Sequence, residues 1–208
     1  TSDKTYRPNK KIYHSEESEL GGEDPYSASK SMADIAINSY LKSFGVKVAS
    51  CRAGNIIGGG DWQKDRLVPD IIRSLFEKKK LFIRYINAKR PWQHVLDVNL
   101  NYLKILKYLI INPKKFNGAW NFGPNKSYSV KKIIEIINKK KKFLYYFKKK
   151  NQRKENNFLA LNINKSKKIG LKNKIQLNEA INLTFKWYEE YYNKNNILDL
   201  TEKQIKTF

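Results

Sequence analysis

The chain has 208 residues, 40% of them hydrophobic and 13% aromatic, enough for one good core or two small lobes and too apolar for a disordered chain. The formal net charge is +23, but residues 1–62 hold eight Lys/Arg against eight Asp/Glu, so the whole excess lies beyond them. No apolar run reaches the length of a membrane span, and the single cysteine, Cys51, excludes an intrachain disulfide, as expected for a reducing cytoplasm.

Residues 5–23 read as a polar loop with the acidic run Glu16, Glu17 and Glu19 and the breaker Gly21-Gly22; His14, within it, is expected to be exposed. Asp24 caps a predicted helix that has Pro25 at its first position, where the missing N–H costs nothing. That helix carries Tyr26, Met32, Ile35, Ala36, Tyr40 and Phe44 and stops at Gly45. Val46 to Cys51 reads as a strand, with Cys51 as a small buried residue. Gly54 to Trp62 is a Gly-rich loop, Pro69 to Lys78 a helix, and Leu81 to Tyr85 a strand.

Asp97 is expected to cap a helix bearing Val98, Tyr102, Ile105, Leu106, Leu109 and Ile110, ended by Pro113. His94, beside Val95 and Leu96, is a core histidine in this reading, and Trp62 and Trp92 are packing residues. Ala119 to Phe122 is a strand leading into the turn Gly123-Pro124-Asn125. Ser129 caps a helix whose Val130, Ile133, Ile134 and Ile137 form an amphipathic stripe. Phe158 to Ile163 alternates like a strand, and a last helix runs from about Asn178 to Tyr192 with Ile181, Thr184, Phe185 and Tyr188 inward. Helices alternating with short strands make the class α/β.

A large share of the excess positive charge has one address. Residues 131–154 carry eleven Lys/Arg against Glu135, with Phe143, Tyr145, Tyr146 and Phe147 between runs of lysine. One reading is a polyanion surface with stacking aromatics; the other is a solvated face around a short strand guarded by lysines. No helix-turn-helix, zinc-finger or RNP pattern accompanies the charge, so nucleic acid is not the expected partner.

The chemistry sits nearer the start. Tyr26 and Lys30 are about one helical turn apart and project from one face, and an ammonium beside a phenol favours the phenolate. Such a tyrosine takes a proton from a sugar hydroxyl when a nicotinamide takes the hydride. Alone, Tyr-x-x-x-Lys is common by chance; the context of Ser2-Asp3-Lys4 upstream and a strand and Gly-rich loop downstream gives it weight. Gly58-Gly59-Gly60 lacks the G-x-G-x-x-G spacing of a dinucleotide turn.

Several blocks together resemble one family: Thr1-Ser2-Asp3-Lys4, Leu20-Gly21-Gly22-Glu23-Asp24-Pro25-Tyr26-Ser27-Ala28-Ser29-Lys30, the loop from Arg52 to Trp62, Asp65 to Ile71, Arg90 to Asp97, and Trp120-Asn121-Phe122-Gly123-Pro124. They are similar to the extended short-chain dehydrogenase/reductases, specifically the nucleotide-sugar 4,6-dehydratases and, among these, the branch acting on CDP-glucose. The match fades after about residue 125, leaving Phe158-Leu159-Ala160-Leu161, Ser166 to Leu171 and Trp187-Tyr188; residues 139–154 match poorly.

The resemblance implies the C-terminal part of a Rossmann-type doubly wound parallel sheet plus a smaller α/β substrate-binding lobe. Residues 1–65 would be the remainder of the NAD-binding domain. Residues 66–208 would be mainly the nucleotide-sugar lobe, with 97–122 returning to the first domain. It implies NAD as cofactor, a nucleotide-sugar substrate and a homodimer at full length, paired through the Tyr26 helix.

By resemblance Tyr26 is the base for oxidation at sugar C4, and Lys30 holds the nicotinamide ribose and tunes Tyr26. Ser2 hydrogen-bonds the C4 oxygen and Asp3 protonates the departing C6 hydroxyl. Lys4 stands where many relatives carry a Glu that removes the C5 proton; the CDP-glucose branch has Lys there. Asn55, Arg90 and Asn125 match positions contacting the diphosphate or sugar, although Asn55 as a loop-shaping residue and Arg90 as a surface partner of Asp97 are the plainer readings. Because the Gly-rich half that precedes this segment in the family is not among these residues, no turnover is expected of the 208 residues alone. A degenerate remnant, a 4-epimerase and a basic nucleic-acid module are the competing readings.

Overall fold

The computed structural model describes residues 1–8, 13–147 and 160–208, so the lysines of 148–154 and the start of the strand expected over Phe158 to Ile163 lie outside the described residues. A single 3-10 turn, Asp3–Thr5, opens the chain and is capped by Ser2, whose side chain accepts from the Lys4 N–H. Helix α1 follows at Pro25–Phe44. Its start is fixed as expected: the Asp24 carboxylate accepts the Ser27 N–H at 3.0 Å, and Pro25 fills the first turn. Gly45 ends it in the left-handed region at φ 64°, donating its N–H to Leu41 O.

The faces of α1 are inverted relative to an ordinary amphipathic helix. Its buried residues are Ser27, Ser31 and Asp34, whereas Met32 is 63% and Phe44 73% exposed, with Ile35 and Tyr40 also in the open. The apolar stripe seen in the sequence therefore faces away from the core of this chain.

Strand β1 (Ala49–Ala53) pairs in parallel with β6 (Gly118–Phe122), in the register Ala49 opposite Gly118 and Ala53 opposite Phe122. Helix α3 (Val95–Ile111) packs on this pair. Val98 and Ile105 join Ala53, Trp120, Phe122 and Leu171 in one apolar core. The short α4 (Pro113–Phe116) makes the return to β6.

A second, larger core is built by three helices: α2 (Leu67–Glu77), α5 (Val130–Lys140) and α7 (Leu177–Tyr192). All four residues of the α5 stripe, Val130, Ile133, Ile134 and Ile137, are buried in it, and Ser129 caps the helix as its sequence position implied. Three short pairs tie the loops together. β2 (Ile56–Ile57) is parallel to β5 (Gln93–His94), β3 (Leu81–Phe82) parallel to β8 (Tyr145–Tyr146), and β4 (Lys89–Arg90) antiparallel to β7 (Tyr128–Ser129). Helices α6 (Asn164–Lys168) and α8 (Ile197–Thr207) complete the described chain.

Three local expectations need correction. His14 is buried, not exposed: its ring stacks on Tyr6 at 4.8 Å, and its backbone brackets residues 160–162. Asp97 does not cap α3. The cap is His94, whose Nδ1 accepts the Leu96 N–H, and the Asp97 carboxylate instead accepts the backbone N–H groups of Lys174 and Ile175 at 2.7 and 3.0 Å. Arg90 and Asp97 are both buried, so the alternative of a surface pair between them falls away.

Candidate active site

A cleft of about 790 Å³ lies between the two cores, its wall taking Ala53 from one and Ile57, Val68, Ile83 and Trp92 from the other. Ser2, Asp3, Lys4, Tyr26, Asn55 and Arg90 all line it. Residues up to 88 positions apart in sequence are thus gathered at one surface, and a concave pocket with convergent polar groups is the default place to look for chemistry.

Each residue is placed by its element. The 3-10 turn brings Ser2, Asp3 and Lys4 into the cleft lining, with the Ser2 hydroxyl donating to Asp3 Oδ1 at 3.1 Å. The turn is held against α1 by Thr5 Oγ1 donating to Lys30 O and by Ser31 Oγ donating to Thr5 O. Tyr26, in the first turn of α1, is 54% exposed on the cleft wall, and the Lys30 ammonium lies over its ring, 5.3 Å from the centroid. Asn55 follows β1 and is fixed through its carbonyl, which accepts the Gln93 N–H at 2.9 Å. Gly54 must be glycine: a Cβ there would lie 2.4 Å from Pro91 Cγ and 2.8 Å from Pro91 O.

Asp3 is the electrostatic focus. It is 3% exposed, and its Oδ2 is buried without a hydrogen-bond partner. Burial pushes its pKa up to about 6, against the pull of Lys4, the Ser2 hydroxyl and Arg90. A carboxyl that keeps its proton to higher pH than usual, beside cations, is the environment of a general acid.

Two expected residues stand apart. Asn125 is exposed on its turn and is not part of the cleft lining, and Lys30 is not in the lining either, its ammonium lying over the Tyr26 ring. His94 is 1% exposed and its pKa falls to about 4 because it is buried, which suits a core histidine. Cys51 is half-buried and burial raises its thiol to about 11, far from a nucleophile's range. No group of three or more metal-binding side chains occurs among the described residues, and none of their helices is long and apolar enough to cross a membrane.

A buried polar network with no local signal in the sequence lies next to the site. Asp34 of α1 receives hydrogen bonds from Thr1, Ser50 and Arg52 Nε, the last at 3.1 Å. Arg52 Nη1 donates to Tyr6 Oη at 2.9 Å and to Glu16 O at 3.0 Å, and Tyr6 Oη donates to Asn121 Oδ1 at 2.5 Å. Burial alone would raise Asp34, but the Ser50 hydroxyl and the Arg52 guanidinium hold it below the usual carboxylate range. Burial likewise lifts the Tyr6 phenol to about 12.

Residues 1–119 match the model of the NAD dependent epimerase/dehydratase family, and the chain belongs to that family. Its sequence is 34% identical to the CDP-glucose 4,6-dehydratase of Salmonella typhimurium over the whole chain, which corresponds to 62% of that protein. Among solved structures, UDP-glucuronic acid 4-epimerase from Bacillus cereus, in complex with UDP-glucuronic acid and NAD, superimposes with a TM-score of 0.81 at 18% identity, covering 92% of this chain and 60% of the epimerase. dTDP-glucose 4,6-dehydratase from Bacillus anthracis, in complex with NAD, gives 0.76 at 23% identity over 93% of this chain and 61% of its own. The chain therefore spans less than two thirds of these relatives. The structural likenesses establish the α/β, Rossmann-type fold.

Proposed function

We propose that the protein carrying this chain is a nucleotide-sugar 4,6-dehydratase acting on CDP-glucose with NAD, forming CDP-4-keto-6-deoxyglucose. The observation that carries the reading is Asp3, a buried carboxyl raised to about 6, beside Ser2 and Lys4 and in one cleft with Tyr26. Oxidation at C4 alone, as in epimerisation, has no use for such an acid; loss of the C6 hydroxyl does. The identity of 34% to a CDP-glucose 4,6-dehydratase supports the same choice.

The residues present fit one end of NAD. Tyr26 stands on the cleft wall with the Lys30 ammonium at its ring, the pair expected to meet the nicotinamide and its ribose. The pyrophosphate cradle is another matter, since no G-x-G-x-x-G turn occurs in the 208 residues. Bound NAD supplies a hydride acceptor for C4 and a hydride donor for C6.

Tyr26 accepts the proton of the C4 hydroxyl, and Ser2 holds the C4 oxygen as it becomes a carbonyl. The 4-keto group acidifies C5–H, and in this reading Lys4 takes the C5 proton as water leaves and returns one to C5 when C6 receives the hydride. Asp3 gives its proton to the departing C6 hydroxyl, so water is lost across C5–C6. Arg90 and Asn55 suit the diphosphate and sugar oxygens, Arg90 as a fixed guanidinium and Asn55 as an amide donor.

In this reading residues 1–65, with 97–122 returning, belong to the cofactor side, and the remainder mainly to the nucleotide-sugar lobe; the two separate apolar cores support the division. A homodimer through α1 belongs to the same reading, supported by the open apolar face of Met32, Ile35, Tyr40 and Phe44. The test is incubation of the full-length gene product with CDP-glucose and NAD. A 4-keto product, read by its ultraviolet absorbance in base, is expected; a folded, NAD-loaded enzyme that leaves CDP-glucose unchanged overturns the assignment.

A further inference from the structure

The polar face of α1 is buried against a strand, a loop and the exit of the 3-10 turn at once. We infer that Arg52, with Asp34 and Tyr6, is a positioning hub that sets the Ser2-Asp3-Lys4 turn against the Tyr26 helix. This inference rests on the dehydratase reading for its catalytic consequence, though not for its geometry.

Arg52 lies on β1, between the two catalytic elements. On one side its Nε meets Asp34 Oδ2 at 3.1 Å, with side-chain exposures of 6% and 1%. Asp34 is one helical turn beyond Lys30 and two beyond Tyr26, so a hold on Asp34 fixes the rotation and height of the stripe that bears both. On the other side its Nη1 meets Tyr6 Oη at 2.9 Å, and its guanidinium carbon lies 4.9 Å from the Tyr6 ring centroid. Tyr6 directly follows the 3-10 turn. Stacking on His14 and the bond to Asn121 leave Tyr6 no freedom to follow a displaced turn.

A planar fork is required here. One guanidinium reaches Asp34, Tyr6 and the Glu16 carbonyl in different directions, which an ammonium on a flexible stem does not reproduce. A buried ion pair is a poor source of net stability, because desolvation offsets much of the attraction. Its value here lies in geometry: the acid, the C4-oxygen ligand and the phenol must converge on one sugar, and a misplacement near 1 Å costs on the order of 10²-fold in rate.

The test compares Arg52→Lys and Tyr6→Phe with the parent. Tyr6→Phe keeps the ring that stacks on His14 and removes only the hydroxyl linking Arg52 to Asn121, so it remains informative if Arg52→Lys does not fold. Two readouts are taken: kcat and KM for CDP-glucose in the full-length NAD-loaded enzyme, and the ¹³C NMR titration of the Asp3 carboxyl in the same full-length protein. Expected are a fall in kcat of about 10²-fold with KM changed less than about threefold, and an Asp3 midpoint moved from about 6 toward its ordinary value. Folded variants with the parental Asp3 titration and kcat within about twofold would overturn the inference. An inactive parent refutes the dehydratase reading alone, and the Asp3 titration still decides the positioning.

Discussion

Replacing Asp3 with Asn separates stability from catalysis in opposite directions. Asp3 is 3% exposed with a pKa near 6, against 3.8 for the free side chain. Between those values the native state binds the proton and the unfolded chain does not, so stability falls as pH rises through that window and stays lowered above it. A difference of roughly two units corresponds to about 3 kcal/mol. The Asp3→Asn side chain has no proton to titrate and escapes this loss. Its amide adds a separate cost of about 1–3 kcal/mol, because one nitrogen would sit where Oδ2 now lacks a partner. That cost is independent of pH. Urea denaturation of parent and variant at intervals from pH 3 to 8 isolates the effect: the variant should gain about 3 kcal/mol relative to the parent across the range while losing dehydration in the full-length enzyme. A difference that stays flat with pH, or that moves against the variant as pH rises, refutes the buried-acid account.

Other consequences are as direct. His94 titrates near 4 in the fold against 6.5 free, so the unfolded chain binds more protons between those values; about 3 kcal/mol of stability should vanish as pH falls through them, and imidazole NMR shifts should show no titration above pH 5. Tyr26→Phe should leave the urea midpoint within about 0.5 kcal/mol of the parent, since the ring is largely exposed, yet abolish turnover of CDP-glucose; residual activity above a hundredth of the parent would remove Tyr26 from the base's role. Gly59→Ala places a Cβ 2.1 Å from Trp187 Cγ, deep inside the indole that closes the loop, and should cost about 1–3 kcal/mol by denaturant titration, a neutral variant showing that α7 does not press on that loop.

Much of this was legible from local signals. Asp24-Pro25 and Gly45 mark the ends of α1, Ser129 and its isoleucine stripe mark α5, and the structure keeps both. Asn196 is an equally local signal: it caps α8 by accepting from the Leu198 and Asp199 N–H groups, although that helix carries no long periodic stripe. The membership of Ser2, Asp3, Lys4, Tyr26, Asn55 and Arg90 in one cleft followed from motif resemblance, whereas Asn125 stands outside it. What stayed hidden is long-range and polar. Arg52 reaches Tyr6 across 46 positions, Tyr6 reaches Asn121 across 115, and Asp97 reaches Ile175 across 78. No periodicity encodes such pairs, so Asp97 looked like a cap and His14 like a surface residue. The open apolar face of α1 reads the same in sequence as a core face, because composition does not say which side is covered.

Dehydration with internal return of hydride is read most directly from the fate of a label. The full-length enzyme is given NAD and CDP-glucose deuterated at C4, and the product is examined by NMR and mass spectrometry. Expected is a 4-keto sugar nucleotide, lighter than substrate by one water, with the deuterium at C6. Deuterium retained at C4 in a product of unchanged mass would mean epimerisation and would contradict dehydration.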